Sequence, residues 1–94
     1  MTYDVNARAK EGSVHFSMHG PDQPLAVIID GEALERYFGA GSDADSQLEA
    51  YAANFRIIHS VAQLKSTEHP APIRLTVDDF TEDSIRHLRE ENEE

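Results

Sequence analysis

Apolar and polar residues alternate twice near the start of the chain. In Ser13 to Met18, Val14, Phe16 and Met18 point one way and His15 and Ser17 the other, the mark of a half-buried strand. His19-Gly-Pro-Asp-Gln-Pro24 supplies turn residues. Leu25 to Ile29 then follows, apolar on both faces, as the more buried strand of an antiparallel hairpin. Asp30 is placed to cap a short helix, Glu32 to Phe38, which buries Leu34 and Phe38. Gly39 ends it, since glycine takes the left-handed conformation freely.

Asp43 to Lys65 carries the strongest periodicity and contains neither Gly nor Pro, which predicts one long helix capped by Ser42 or Asp43. At about 100° per residue, Leu48, Tyr51, Ala52, Phe55, Ile58 and Ala62 share a face. Ala50, Ala53, Ile57, Val61 and Leu64 form a second stripe roughly half a turn away. Apolar residues on two sides call for cover on both. Another piece of this chain would supply it, or a second copy docking as a homodimer through Ala50, Ile57, Val61 and Leu64.

Ile73 to Val77 alternates again and reads as a third strand, with Phe80 folding back onto the core. Thr81 to Glu91 resembles a short helix with acids in its first turn and Arg86 and Arg89 later. It is anchored by Ile85 and Leu88 alone, so it docks those two residues or frays. Thr2 to Gly12 is polar and reads as a loosely packed extended lead-in. The expected fold is α+β: a small antiparallel sheet of about three strands on a long helix, preceded by a short helix and followed by an acidic C-terminal helix. Residues 1–94 form a single domain with its core in 12–80 and an acidic extension in 81–94.

Charge narrows the function classes. Eighteen acidic residues against eight basic ones give a net charge of −10, which repels phosphate backbones and argues against nucleic acid as a partner. The excess is concentrated after Asp78, where it serves solubility, or alternatively acts as a docking arm or DNA mimic through 81–94. With no cysteine there is no disulfide and no thiolate chemistry. No apolar run reaches membrane-spanning length and no leader core opens the chain, so the expected location is the cytoplasm.

The five histidines are the first candidates for chemistry. His15 and His19 are four apart on a strand and so roughly 13 Å apart, too far for one zinc ion, which needs ligands within about 4 Å of each other. His59 falls on the sheet-facing side of the long helix, where a lone histidine is usually a satisfied core residue. His69 and His87 have no companion at ligand spacing. An enzymatic alternative, a small hydrolase or metal-dependent enzyme, would pair His15 or His59 with Asp30 or Asp78. Gly39-Ala-Gly41 follows a helix and lacks the remainder of a phosphate loop. No catalytic, cofactor-binding or metal residue is assigned, and the expectation is a non-enzymatic interaction or regulatory module.

Val14-x-Phe16, Leu25-x-Val27-x-Ile29, Glu32-Ala-Leu34-x-x-x-Phe38-Gly39, the helix with Phe55-Arg56 and Ile58, and a closing strand ahead of Asp79-Phe80 come in a familiar order. In this the chain resembles the bacterial domain-of-unknown-function family 1488 over about residues 12–80. The resemblance implies a compact α+β domain of the bacterial cytoplasm and carries no activity or functional residue with it.

Overall fold

The computed structural model describes residues 3–19, 23–70, 72–83 and 85–86. Strands β1 (Arg8–Lys10), β2 (Ser13–His19) and β3 (Pro24–Asp30) lead into helices α1 (Gly31–Phe38), α2 (Ala44–Ala53) and α3 (Phe55–Ser66). Strand β4 (Ile73–Leu75) and a 3-10 turn (Val77–Asp79) follow. The four strands lie in the order β1-β2-β3-β4. The first two pairings are antiparallel, and β3–β4 is parallel, as expected when three helices carry the chain across between them.

The expected three-stranded antiparallel sheet is therefore a four-stranded mixed one. The added strand is β1, where a loose lead-in was anticipated. Glu11 and Gly12 both take positive φ (54° and 79°), giving the tight primed turn that matches strand twist. Lys10 then pairs with Ser13 and Arg8 with His15.

The second correction concerns the long helix, which breaks at Asn54. That residue leaves helical geometry at φ −122°, ψ 19°. Its side-chain amide donates to the Ala50 carbonyl at 2.9 Å, and its own N–H turns to the Ala50 and Tyr51 carbonyls at 3.1 and 3.2 Å. A short amide that bonds the backbone four residues back competes with the helical ladder. The break also resolves the two stripes. Tyr51, Ile58 and Ala62 from the first and Ala50 and Ile57 from the second all enter one core. A dimer surface of Ala50, Ile57, Val61 and Leu64 is thus not available as drawn, because two of its four members are already buried within the chain. Leu64 stands 68% exposed.

Other elements follow their local chemistry. Asp43 accepts from the Ser46 N–H at 3.0 Å and caps α2. Gly39 closes α1 at φ 72°, and its N–H, like that of Ala40, returns to the Leu34 carbonyl. Asp30 occupies the cap position of α1 without a capping bond. Its carboxylate goes to Arg74 at 2.7 Å instead. Gly31 has no room for a side chain: a Cβ there would meet the Gly12 carbonyl oxygen. Strand β4 stops at Leu75 rather than Val77, where Thr76 and Asp79 form a capping box around the 3-10 turn. Phe80 is buried as anticipated, edge-on to Phe38. The C-terminal helix begins on schedule, with residues 82–83 and 85–86 helical and Ile85 docked in the core. Leu88, Arg89 and the rest of the acidic extension lie outside the described residues, as does the turn at 20–22.

All three helices lie on the face of the sheet that carries Val14, Phe16, Val27, Ile29, Ile73 and Leu75. The opposite face has no helix on it among the described residues, and its residues run from buried Ser13 through half-buried His15 and Ile28 to exposed Arg8, Ala26 and Arg74. Among the described residues no helix is long and apolar enough to cross a membrane.

Candidate functional site

Two places stand out: a buried polar cluster on the helix side of the sheet, and the uncovered face.

The cluster is built where α2 and α3 meet. On an unbroken helix, eight residues would hold Tyr51 and His59 about 12 Å apart along the axis. With the break at Asn54 their rings lie 5.7 Å apart, and the Tyr51 hydroxyl sits 2.8 Å from His59 Nε2. Phe16, rising from β2, stacks on both rings at 4.6 and 5.1 Å, and Phe55 meets the imidazole edge-on. The third member is Asp4. Its backbone N–H donates to the Tyr51 hydroxyl at 3.0 Å. Its carboxylate accepts from the Ser17 N–H at 2.8 Å and the Asn6 N–H at 2.9 Å. Strand β1 is too short to pair with Ser17, so Asp4 supplies the missing acceptor.

The partners of the Tyr51 hydroxyl favour one imidazole tautomer. Asp4 presents an N–H to the Tyr51 oxygen, so His59 Nε2 is the one acceptor that the Tyr51 proton meets among the described residues. The imidazole is then neutral, with its proton on Nδ1. Burial drives His59 below its ordinary value, opposed by the Asp4 charge, which agrees with a neutral ring. Burial likewise pushes the Tyr51 hydroxyl up to about 12; the Asp4 N–H works against that shift and the Asp4 charge with it. His59 as a whole is 5% exposed. No described residue bonds its Nδ1, and no fully buried side-chain nitrogen or oxygen lacks a partner, so Nδ1 reaches solvent. His59 lines a cavity of about 560 Å³ whose wall also holds Tyr3, Val5, Met18, Pro24 and the polar Ser17, His19 and Gln63.

The uncovered face reads out from the strand register. Arg8 pairs with His15, His15 with Ile28 and Ile28 with Arg74, one row across all four strands. Lys10 lies in the next row, opposite Ser13. Three of the eight basic residues of this acidic chain thus share one sheet face. A shallow depression of about 460 Å³ opens there between Arg8, His15, Ile28 and Pro72, with Asp4 also on its wall.

The candidates named from sequence are not brought together as an acid–base set. His15 lies on the open face and His59 in the cluster, and the two ion pairs among the described residues, Lys65–Asp79 and Arg74–Asp30, involve neither. Asp78 is exposed on the 3-10 turn. No group of three or more metal-ligating side chains converges among the described residues. Tyr51 and Asp4 were missed as partners of His59. The available signal was Asp4-Val-Asn6, a turn-forming pair. No family model, curated protein or solved structure matches the chain.

Proposed function

We propose that the protein is a non-enzymatic interaction module whose docking surface is the uncovered sheet face and whose partner presents an acidic, partly apolar extended segment. The observation that supports this reading is the row Arg8–His15–Ile28–Arg74 with Lys10 beside it: Asp30 on the same face pairs with Arg74, which leaves Arg8 and Lys10 as a cationic edge beside an apolar centre on a chain of net charge −10. Such an edge is complementary to carboxylates, while the charge of the whole chain repels an extended phosphate backbone. The resemblance to family 1488 belongs to the same proposal and adds a bacterial setting without an activity.

The test is an amide NMR titration with a synthetic decapeptide of alternating Glu and Val, repeated on Arg8→Glu and Lys10→Glu. Saturable shifts on β1, β2 and β4 that both substitutions weaken are expected. Shifts elsewhere, or none, would overturn the reading. A uridine oligonucleotide that binds the same face more tightly would replace it with a phosphate-backbone reading. Light scattering on the unmodified protein adds the third outcome: a dimer whose amide shifts map to this face would put a second copy there, in place of the α2–α3 stripe.

A further inference from the structure

We propose that the cavity between the N-terminal segment, the β2–β3 end of the sheet and α3 is a binding site for a small uncharged ring compound bearing a carbonyl, whose oxygen accepts a hydrogen bond from His59 Nδ1. The site is separate from the open face, so it stands or falls independently of the docking reading.

Three observations carry it. The first is a polar group held inside and aimed outward. His59 is 5% exposed and lines the cavity, and its Nδ1 has no partner among the described residues and is not fully buried. The Asp4–Tyr51–His59 relay favours the tautomer with the proton on Nδ1, in which His59 offers the cavity a donor. A donor preset by buried partners discriminates more sharply than a freely rotating one, since a ligand without an acceptor leaves it unpaired.

The second is the wall. Tyr3, Val5, Met18 and Pro24 give apolar contact on several sides, and the volume falls within the range that encloses a small organic molecule. Tyr3 stands edge-on to both Tyr51 and Phe55 and continues their aromatic cluster to the rim. A flat ring lying against Tyr3 and Met18 would bring a substituent carbonyl to the floor.

The third is charge. The Asp4 carboxylate also lines the cavity and is met there by backbone N–H groups alone, with no cation paired to it among the described residues. Asp4 would repel a carboxylate or phosphate ligand, and a donor on His59 calls for an acceptor and not for an ammonium group; together, with His19 also on the wall, they favour a neutral carbonyl compound such as an amide or a lactam-type ring.

The experiment uses benzamide as the probe, with benzoate and toluene as controls, read by long-range proton–nitrogen spectra of the histidine rings. Benzamide is expected to move the His59 Nδ1 resonance saturably, with a Kd on the order of 1 mM for so small a ligand. Benzoate and toluene should each bind at least about fivefold more weakly. Val5→Glu, at a 78% exposed position on the rim, should weaken benzamide without disturbing the fold. His59→Phe should abolish binding, and if that variant fails to fold, Val5→Glu still decides. No saturable shift of His59, equal binding of benzoate or toluene, or unchanged binding by Val5→Glu would each overturn the proposal.

Discussion

The two faces of the sheet are written by the same residues, one position apart, and they do opposite work. Val27 and Ile29 on β3 are 1% and 0% exposed beneath the helices. Ala26 and Ile28, at the alternate positions, face outward, Ala26 exposed and Ile28 half-buried. The covered face decides whether the chain folds, because each side chain there is removed from water. The open face, where Ile28 is half-buried and Ala26 exposed, has less hold on stability. The contrast teaches that strength of apolar patterning marks the first face and cannot mark the second. Apolar residues on both sides of β3 marked it as the more buried strand of a hairpin, and helices cover only one of its two faces.

The sharpest way to break this contrast is a pair of identical truncations at adjacent positions. Ile29→Ala removes a fully buried side chain and should destabilise by about 3–4 kcal/mol. Ile28→Ala should cost about 1 kcal/mol or less. Urea unfolding of the two variants measures both. Equal losses would mean that Ile28 is covered in solution and the open face is closed, by a second copy or by the chain itself.

A smaller effect tests the polar cluster within the covered side. Tyr51→Phe keeps the ring between Phe16 and Tyr3 and deletes only the hydroxyl, so it should cost about 1–2 kcal/mol. Its pH dependence carries more information. His59 in the folded chain titrates below 6.5, so as pH falls below that value the unfolded chain takes up a proton that the folded chain resists. The stability His59 contributes is therefore complete above pH 6.5 and is lost as the pH drops through that value toward its lower folded one. Removing the Tyr51 donor withdraws support from the neutral ring. Unfolding curves between pH 7.5 and 5 should thus show a shallower decline in the variant, with the two proteins converging at the acid end. Parallel curves would mean that the Tyr51 proton does not sit on His59 Nε2.

Much of the covered side was legible. Alternation placed Val14 and Phe16, glycine conformation placed Gly39, and a short carboxylate placed Asp43. Three features were not. Arg8-Ala9-Lys10 is too short and polar to declare itself a strand, and only the Glu11–Gly12 turn makes it one. The direction of β4 is set by the helical crossover, which no local pattern in Ile73 to Leu75 records. Asn54 sits inside a strongly periodic run without Gly or Pro, and one amide bonding to Ala50 outweighs the propensity of its neighbours. That break is also what joins Tyr51 to His59. The sequence placed both on the sheet-facing side and gave no indication that they touch, nor that Asp4 reaches them across 47 positions of chain.

The smallest expected effect falls on the open face itself. Arg74 Nη2 lies 2.7 Å from the Asp30 carboxylate, close enough for a strong pair by distance alone. Arg74, however, has 61% of its side chain in solvent, and Asp30 25%. Water screens such a pair and ordering the arginine opposes it, so a double-mutant cycle of Asp30→Ala and Arg74→Ala should return a coupling of about 0.5 kcal/mol. That coupling should shrink further in about 1 M salt, where the screening length falls to about 3 Å. Asp30 also sits 3.5 Å from the Ser13 hydroxyl and at the start of α1, so the single Asp30→Ala variant will lose more than the coupling alone; the cycle removes that part. A coupling above about 2 kcal/mol would place Arg74 among the structural residues. Arg74 would then belong with the covered face in function if not in position, leaving Arg8 and Lys10 as the cations free to meet a partner.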